Sequence, residues 1–135
     1  MNIVASIYDI NQIEKLNSLA THVLIPVEGF QSSKGLDIEE SIRLCNNINI
    51  IPILKMDGMI HEYMIDEFTN VILKYKDFNV LFYITDLGAA KILIDLGLSK
   101  RTIFHPNTFH NIPIRQFEQI LTCSVYFGLL KRNHF

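Results

Sequence analysis

The chain has 135 residues, a formal charge of -2 and an apolar fraction of 49%. Such a length suits one domain spanning residues 1–135, and such an apolar content builds a core, which excludes a disordered chain. A near-neutral charge with no lysine or arginine stripe excludes an electrostatic footprint for nucleic acid, Lys131-Arg132 being too short to count.

The first strand is expected over Asn2 to Tyr8, around Ile3, Val4 and Ile7. Asp9 with Gln12, or Asn11 with Glu14, has capping-box spacing for a helix whose buried stripe is Ile13, Leu16 and Ala20. His22 to Val27 is the second strand. Pro26 belongs at its end, because it has no N–H for the ladder. Glu28-Gly-Phe-Gln-Ser-Ser-Lys-Gly35 is a polar loop at the C-terminal edge of the sheet. Asp37 with Glu40 caps the next helix. Ile38, Ile42 and Cys45 mark its buried face, and Asn46-Asn47 ends it.

Ile48 to Leu54 is the third strand, with Pro52 leaving its register open, and Lys55-Met-Asp-Gly58 is the turn after it. Met64, Phe68, Val71, Ile72 and Tyr75 mark a long amphipathic helix. Val80 to Ile84 is a continuous apolar run of strand length. Thr85 or Asp86 then caps a helix whose stripe is Leu87, Ala90 and Ile94, with Leu93 beside it, and Gly97 stands where a helix end takes positive φ. Thr102 to His105 is a short fifth strand. Pro113 suits the first turn of a helix carried by Ile114, Phe117 and Leu121, and Ser124 to Leu130 is a sixth strand.

Strand-to-strand intervals of roughly 20–30 residues suit right-handed crossovers in a parallel α/β fold. Two architectures fit this alternation. One is a partial (β/α) barrel of the TIM type with five to six strands, and the other is an open doubly wound sheet. A full barrel uses about 250 residues, so either the sheet stays open, or a second chain covers it, or the chain is an N-terminal piece of something longer. In the partial barrel, the inward side chains Val4, Leu24, Ile53, Phe82 and Ile103 lack an opposite wall. A homodimer is the expected remedy.

The stretch Ile84-Thr-Asp-Leu-Gly-Ala-Ala-Lys-Ile-Leu-Ile-Asp-Leu-Gly97 resembles the U32 peptidases, a family of collagenase-like bacterial proteins. The shared features are an Asp-Leu-Gly strand-to-helix turn, a helix ending in Leu-Gly, and a short strand entering a Thr-containing loop. Here that strand and loop are Ile103-Phe-His-Pro-Asn-Thr-Phe-His-Asn111. The resemblance runs from the first strand to about Ile120 and implies the N-terminal half of a barrel. It also implies proteolysis, or hydroxylation of RNA bases or quinones with an iron–sulfur cluster. Those activities rely on cysteines and a signature in the family's later half, which have no counterpart here. Cys45 and Cys123 cannot replace four clustered thiolates. The expectation is therefore a U32-like protein without autonomous catalysis. The alternatives are one half of a hydrolase or hydroxylase, or a small-ligand-binding module.

Parallel α/β proteins bind ligands at the C-terminal ends of their strands. There the sequence puts Asp9, Glu28, Lys55, Asp57, Thr85, Asp86, His105, Asn107 and Thr108. Asp86 and His105 are the catalytic candidates. Glu28, Lys55, Asp57, Thr85, Asn107 and Thr108 are the candidates for holding a small polar ligand. Asp9, Thr85 and Asp86 have capping as a competing role, and Glu28 and Lys55 have a rim ion pair. His105 and His110, five apart, lack a third ligand, so no metal is expected, and no motif asks for a cofactor. No Gly-x-Ser-x-Gly turn, phosphate-cradling glycine loop or receiver-type carboxylate cluster is present. No apolar run reaches the ~20 residues of a membrane span, and no signal-peptide pattern opens the chain, so a cytoplasmic location is expected.

Overall fold

A computed structural model describes residues 2–30 and 34–105. The strands are β1 (Val4–Ser6), β2 (His22–Pro26), β3 (Ile51–Met56), β4 (Leu81–Ile84) and β5 (Thr102–Phe104). They form one sheet in the order β1-β2-β3-β4-β5, and every neighbouring pair is parallel. The helices between them are α1 (Ile38–Asn47), α2 (Ile65–Tyr75) and α3 (Leu87–Asp95). The α/β expectation stands. The sixth strand and the helix carried by Ile114 lie outside the described residues.

The caps obey local chemistry. Asp37 accepts from the Glu40 N–H at the start of α1, and Asp86 accepts from the Ala89 N–H at the start of α3. Asp9 and Gln12 form the expected capping box, but no α-helix grows from it. Two 3-10 turns occupy Ile10–Gln12 and Glu14–Leu16 instead. The segment ends at once, with Asn17 extended and Ser18 at φ 67, so it is too short to repay the cost of an α-helical nucleus. Ile13 is nevertheless fully buried from this turn.

The third strand starts and ends later than expected. Ile48 and Ile50 both donate their N–H to the Cys45 carbonyl, and Asn49 sits at φ 58. These residues therefore close α1 instead of entering the ladder, and Lys55 and Met56 belong to β3 instead of a turn. In α3 the buried residues are Ala89, Ala90 and Leu93, while Leu87 is 39% exposed. The stripe is thus rotated relative to the one expected. Gly97 takes φ 78, as a helix end requires.

One core lies on one face of the sheet. Val23, Ile25, Leu54, Met56, Phe82, Ile84 and Phe104 join Ile42 and Cys45 of α1, Phe68 and Ile72 of α2, and Ala89, Ala90 and Leu93 of α3. Side chains alternate faces along a strand. The register therefore sends Val4, Leu24, Ile53, Leu81 and Ile103 to the opposite face. Ile53 is as buried as the core residues yet stands outside their cluster, flanked in register by Leu24 and Leu81. Phe82, expected on that second face, lies on the helix side instead. Leu81 takes its place, because Phe82 pairs in register with Leu54 of the helix-side face and Leu81 with Ile53. The buried apolar residues of α1, α2 and α3 all belong to the first core.

Candidate functional site

The site is built from the C-terminal ends of β3, β4 and β5. Lys55, Tyr83 and Ile103 are consecutive partners across the three strands, so they share the second face of the sheet. His105 lies two residues beyond Ile103. Its N–H donates to the Ile84 carbonyl at 3.0 Å, which carries the β4–β5 pairing past the end of the strand. Tyr83 OH and His105 Nδ1 accordingly share a hydrogen bond of 2.8 Å, whose direction the imidazole tautomer sets.

Lys55 Nζ stands 3.7 Å from Asp57 Oδ2, with both side chains about a quarter exposed. That separation exceeds a charge-assisted hydrogen bond, so the pair is loose. Thr85 Oγ1 donates to the Asp57 carbonyl at 2.8 Å and fixes the turn after β3. Asp57 Oδ1 is buried and has no hydrogen-bond partner among the described residues. Leaving such an atom unsatisfied costs on the order of 1–3 kcal/mol.

Two candidates serve the backbone. Asp86 Oδ1 accepts from the Ala89 N–H and Oδ2 from the Ile60 N–H, each at 3.1 Å. One carboxylate thus caps α3 and ties down the loop that leads to α2. Glu28 Oε2 accepts from the Gly35 N–H at 2.6 Å and closes its own loop. A Cβ on Gly35 would lie 2.3 Å from the Glu28 nitrogen, so only glycine fits this closure. Thr85 is not a cap; Asp86 has that role. The structure therefore brings Lys55, Asp57, Thr85 and His105 to one strand-end region and gives Glu28 and Asp86 structural bonds. Asn107 and Thr108 lie outside the described residues.

Tyr83 is the member that sequence reading missed. Val80 to Ile84 reads as a run buried on both sides, which hides the alternation that separates Phe82 and Ile84 from Leu81 and Tyr83. The available signal was the hydroxyl, because a tyrosine inside an apolar strand needs a partner for its OH.

Among the described residues no group of three or more His, Cys, Asp or Glu is placed to hold a metal ion. Cys45 is buried, and burial pushes its thiol up to about 11, so it is no nucleophile at neutral pH. No described helix is long and apolar enough to cross a membrane. Compared with protein-family models, curated proteins and solved structures, the chain matches none.

Proposed function

We propose that this sheet is one wall of a U32-type (β/α) barrel, that the chain has no catalysis of its own, and that its strand ends hold a small polar ligand. The sequential order β1-β2-β3-β4-β5 with one helix-covered core carries the proposal. A doubly wound sheet reverses its strand order at a switch point and takes helices on both faces. A barrel wall keeps strict order and puts every helix outside. Inside such a wall the second face becomes the barrel interior, and Lys55, Asp57 and His105 stand at its mouth.

The absence of autonomous turnover is supported by the engagement of Asp86. Both of its oxygens accept backbone N–H groups, which suits a cap better than an acid or a base. The cysteines and signature that the U32 resemblance asks for have no counterpart in this sequence. A second copy of the chain covers the open face in this reading. Val4, Leu24, Leu81 and Ile103 would otherwise stay wet at about 25 cal/mol per Å² of apolar area.

The experiment is an assay of the purified 135-residue chain on unstructured peptides. No cleavage above buffer is expected. Cleavage that disappears in His105→Ala would overturn the proposal and make the chain a hydrolase in its own right. Light scattering at micromolar concentration tests the second copy: a dimer is expected, and a clean, heat-resistant monomer would remove it.

A further inference from the structure

We infer that the open edge of β1 is a self-recognition surface, where a second copy of the chain adds its own β1 antiparallel about a twofold axis at Ala5. The surface lies apart from the sheet face and strand ends of the proposed function, and the inference does not rest on that reading. β1 is the first strand of the sheet and has β2 on one side only. The Ile3 carbonyl accepts from the Thr21 and His22 N–H groups, so the Ile3 backbone faces β2. Backbone groups of successive residues in a strand point to opposite sides. Those of Ala5 therefore face β2 as well. The N–H and C=O groups of Val4 and Ser6 face outward, where no described strand meets them.

Apart from its shortness, nothing in this edge discourages pairing. Native edges are blunted by lysine, proline, bulges or a covering helix. Residues 2–8, Asn-Ile-Val-Ala-Ser-Ile-Tyr, hold no proline and no charged side chain. Each later crossover carries an α-helix, whereas only two 3-10 turns join β1 to β2. Ile3 and Val4 are half exposed, and Tyr8 is 72% exposed. A second β1 suits such an edge. With the axis at Ala5, Val4 of each copy stands opposite Ser6 of the other. Each is a pair that exchanges both its N–H···O bonds, so every outward group of Val4 and Ser6 finds a partner. Ala5 meets its own copy between them, in the closer pairing that a methyl group suits. A twofold contact sets side chains beside their own copies, and the lack of charge over residues 2–8 leaves no repulsion there. The axis is perpendicular to the sheet, so the second face stays open to the copy proposed to cover it. Three residues a side make a small contact, which forms transiently.

The test traps that transient pair by mild oxidation of cysteine variants of the full chain. Each is made in a Cys123→Ser background, which leaves only the buried Cys45 besides the new thiol. At the axis, Cα atoms of a non-hydrogen-bonded pair lie about 4.5 Å apart, within the span of a disulfide. Ala5→Cys should therefore cross-link two copies at least about tenfold faster than Ser6→Cys, whose side chains start from diagonal positions about 7–8 Å apart. Tyr8→Cys, farther from the axis, should be slower still. Ser6 and Tyr8 are more exposed than Ala5, so random collision would give the reverse order. Adding Ser6→Pro to Ala5→Cys removes an outward N–H, leaves the ladder to β2 intact and should slow the cross-link severalfold. Equal or reversed rates, or a rate that Ser6→Pro leaves unchanged, would overturn the inference. So would the lack of any cross-link in Ala5→Cys, the result expected if another part of the chain or a different protein takes the edge.

Discussion

The two faces of this sheet are made from the same strands and have opposite fates. One carries Val23, Ile25, Leu54, Phe82 and Phe104 into a core shared with α1, α2 and α3. The other carries Leu24, Ile51, Leu81, Tyr83 and Ile103, all of them partly exposed, around the fully buried Ile53, and the buried apolar residues of the described α-helices belong to the first core instead. Composition alone does not separate the faces, because both are largely apolar. What separates them is topology. Right-handed crossovers between strands in strict order put every helix on the same side. A parallel sheet normally has both faces covered, and in the proposed reading a second copy of the chain covers this one.

The sharpest way to break this comparison is to mutate adjacent residues of β4. Phe82→Ala removes a fully buried ring from the helix-side core and should cost about 3–5 kcal/mol. Leu81→Ser, one residue earlier on the other face, should cost the monomer less than about 1 kcal/mol and should reduce dimer formation. Urea melts of both variants at low concentration, with light scattering at high concentration, measure the contrast. Equal destabilisation of the two monomers would mean that the second face is covered within the chain itself.

Arg101 gives the next largest effect. Its guanidinium donates to the carbonyls of Lys76, Phe78 and Val80, and lies over the Phe82 ring at 5.6 Å. It thereby locks the end of α2 and the entry to β4 from a position just ahead of β5. Burial holds its pKa below the usual arginine value, with Asp77 acting in the opposite sense. Arg101→Met keeps the length and loses the fork, leaving carbonyls without donors. A loss of about 1–3 kcal/mol in a thermal or urea melt is expected. Arg101→Lys should recover only a small part of it, since one ammonium cannot span three carbonyls.

These residues also mark how far the sequence could be read. Helix starts were legible at Asp37 and Asp86, because a cap is a local pattern with a local hydrogen bond. Strand existence was legible, but not strand phase. Burial on one side and partial burial on the other blur into a continuous apolar run, and a shift of one residue then sends Phe82 to the wrong face. The misplaced start of β3 has the same origin, since the turn that closes α1 consumes Ile48 and Ile50, which look like strand. At the candidate site, position along the chain found Lys55, Asp57, Thr85 and His105. Their partners are non-local: the Thr85 bond to the Asp57 carbonyl and the His105 bond to Tyr83 exist only once β3, β4 and β5 are aligned. The Arg101 fork had no sequence signal for the same reason.

Burial of the Cys45 thiol predicts a slow chemical probe of the helix-covered face. In a Cys123→Ser background, Cys45 should resist an aromatic disulfide reagent at pH 8 and react fully in denaturant, because its pKa near 11 and its burial both suppress the thiolate. Rapid reaction without denaturant would show that α1 opens from the sheet on its own.

The smallest expected effect comes from His22, at the opposite rim of the second face from His105. Burial lowers its pKa below 6.5, and Thr21 Oγ1 lies 2.8 Å from its Nδ1. The folded chain therefore prefers the neutral ring, while the unfolded chain takes up a proton as the pH falls through 6.5. Over that window the unfolded state binds more protons, so stability rises with pH and is lost on acidification. Melting temperatures measured at pH 7.5 and 5.5 should fall further in the wild type than in His22→Gln, which keeps a polar side chain but cannot titrate. Other groups add their own slopes to both proteins, so the quantity to read is the difference between the two falls. Parallel falls would mean that the ring is as well solvated in the folded chain as in the unfolded one, and that the second face is wetter at its β1–β3 rim than the burial of His22 implies.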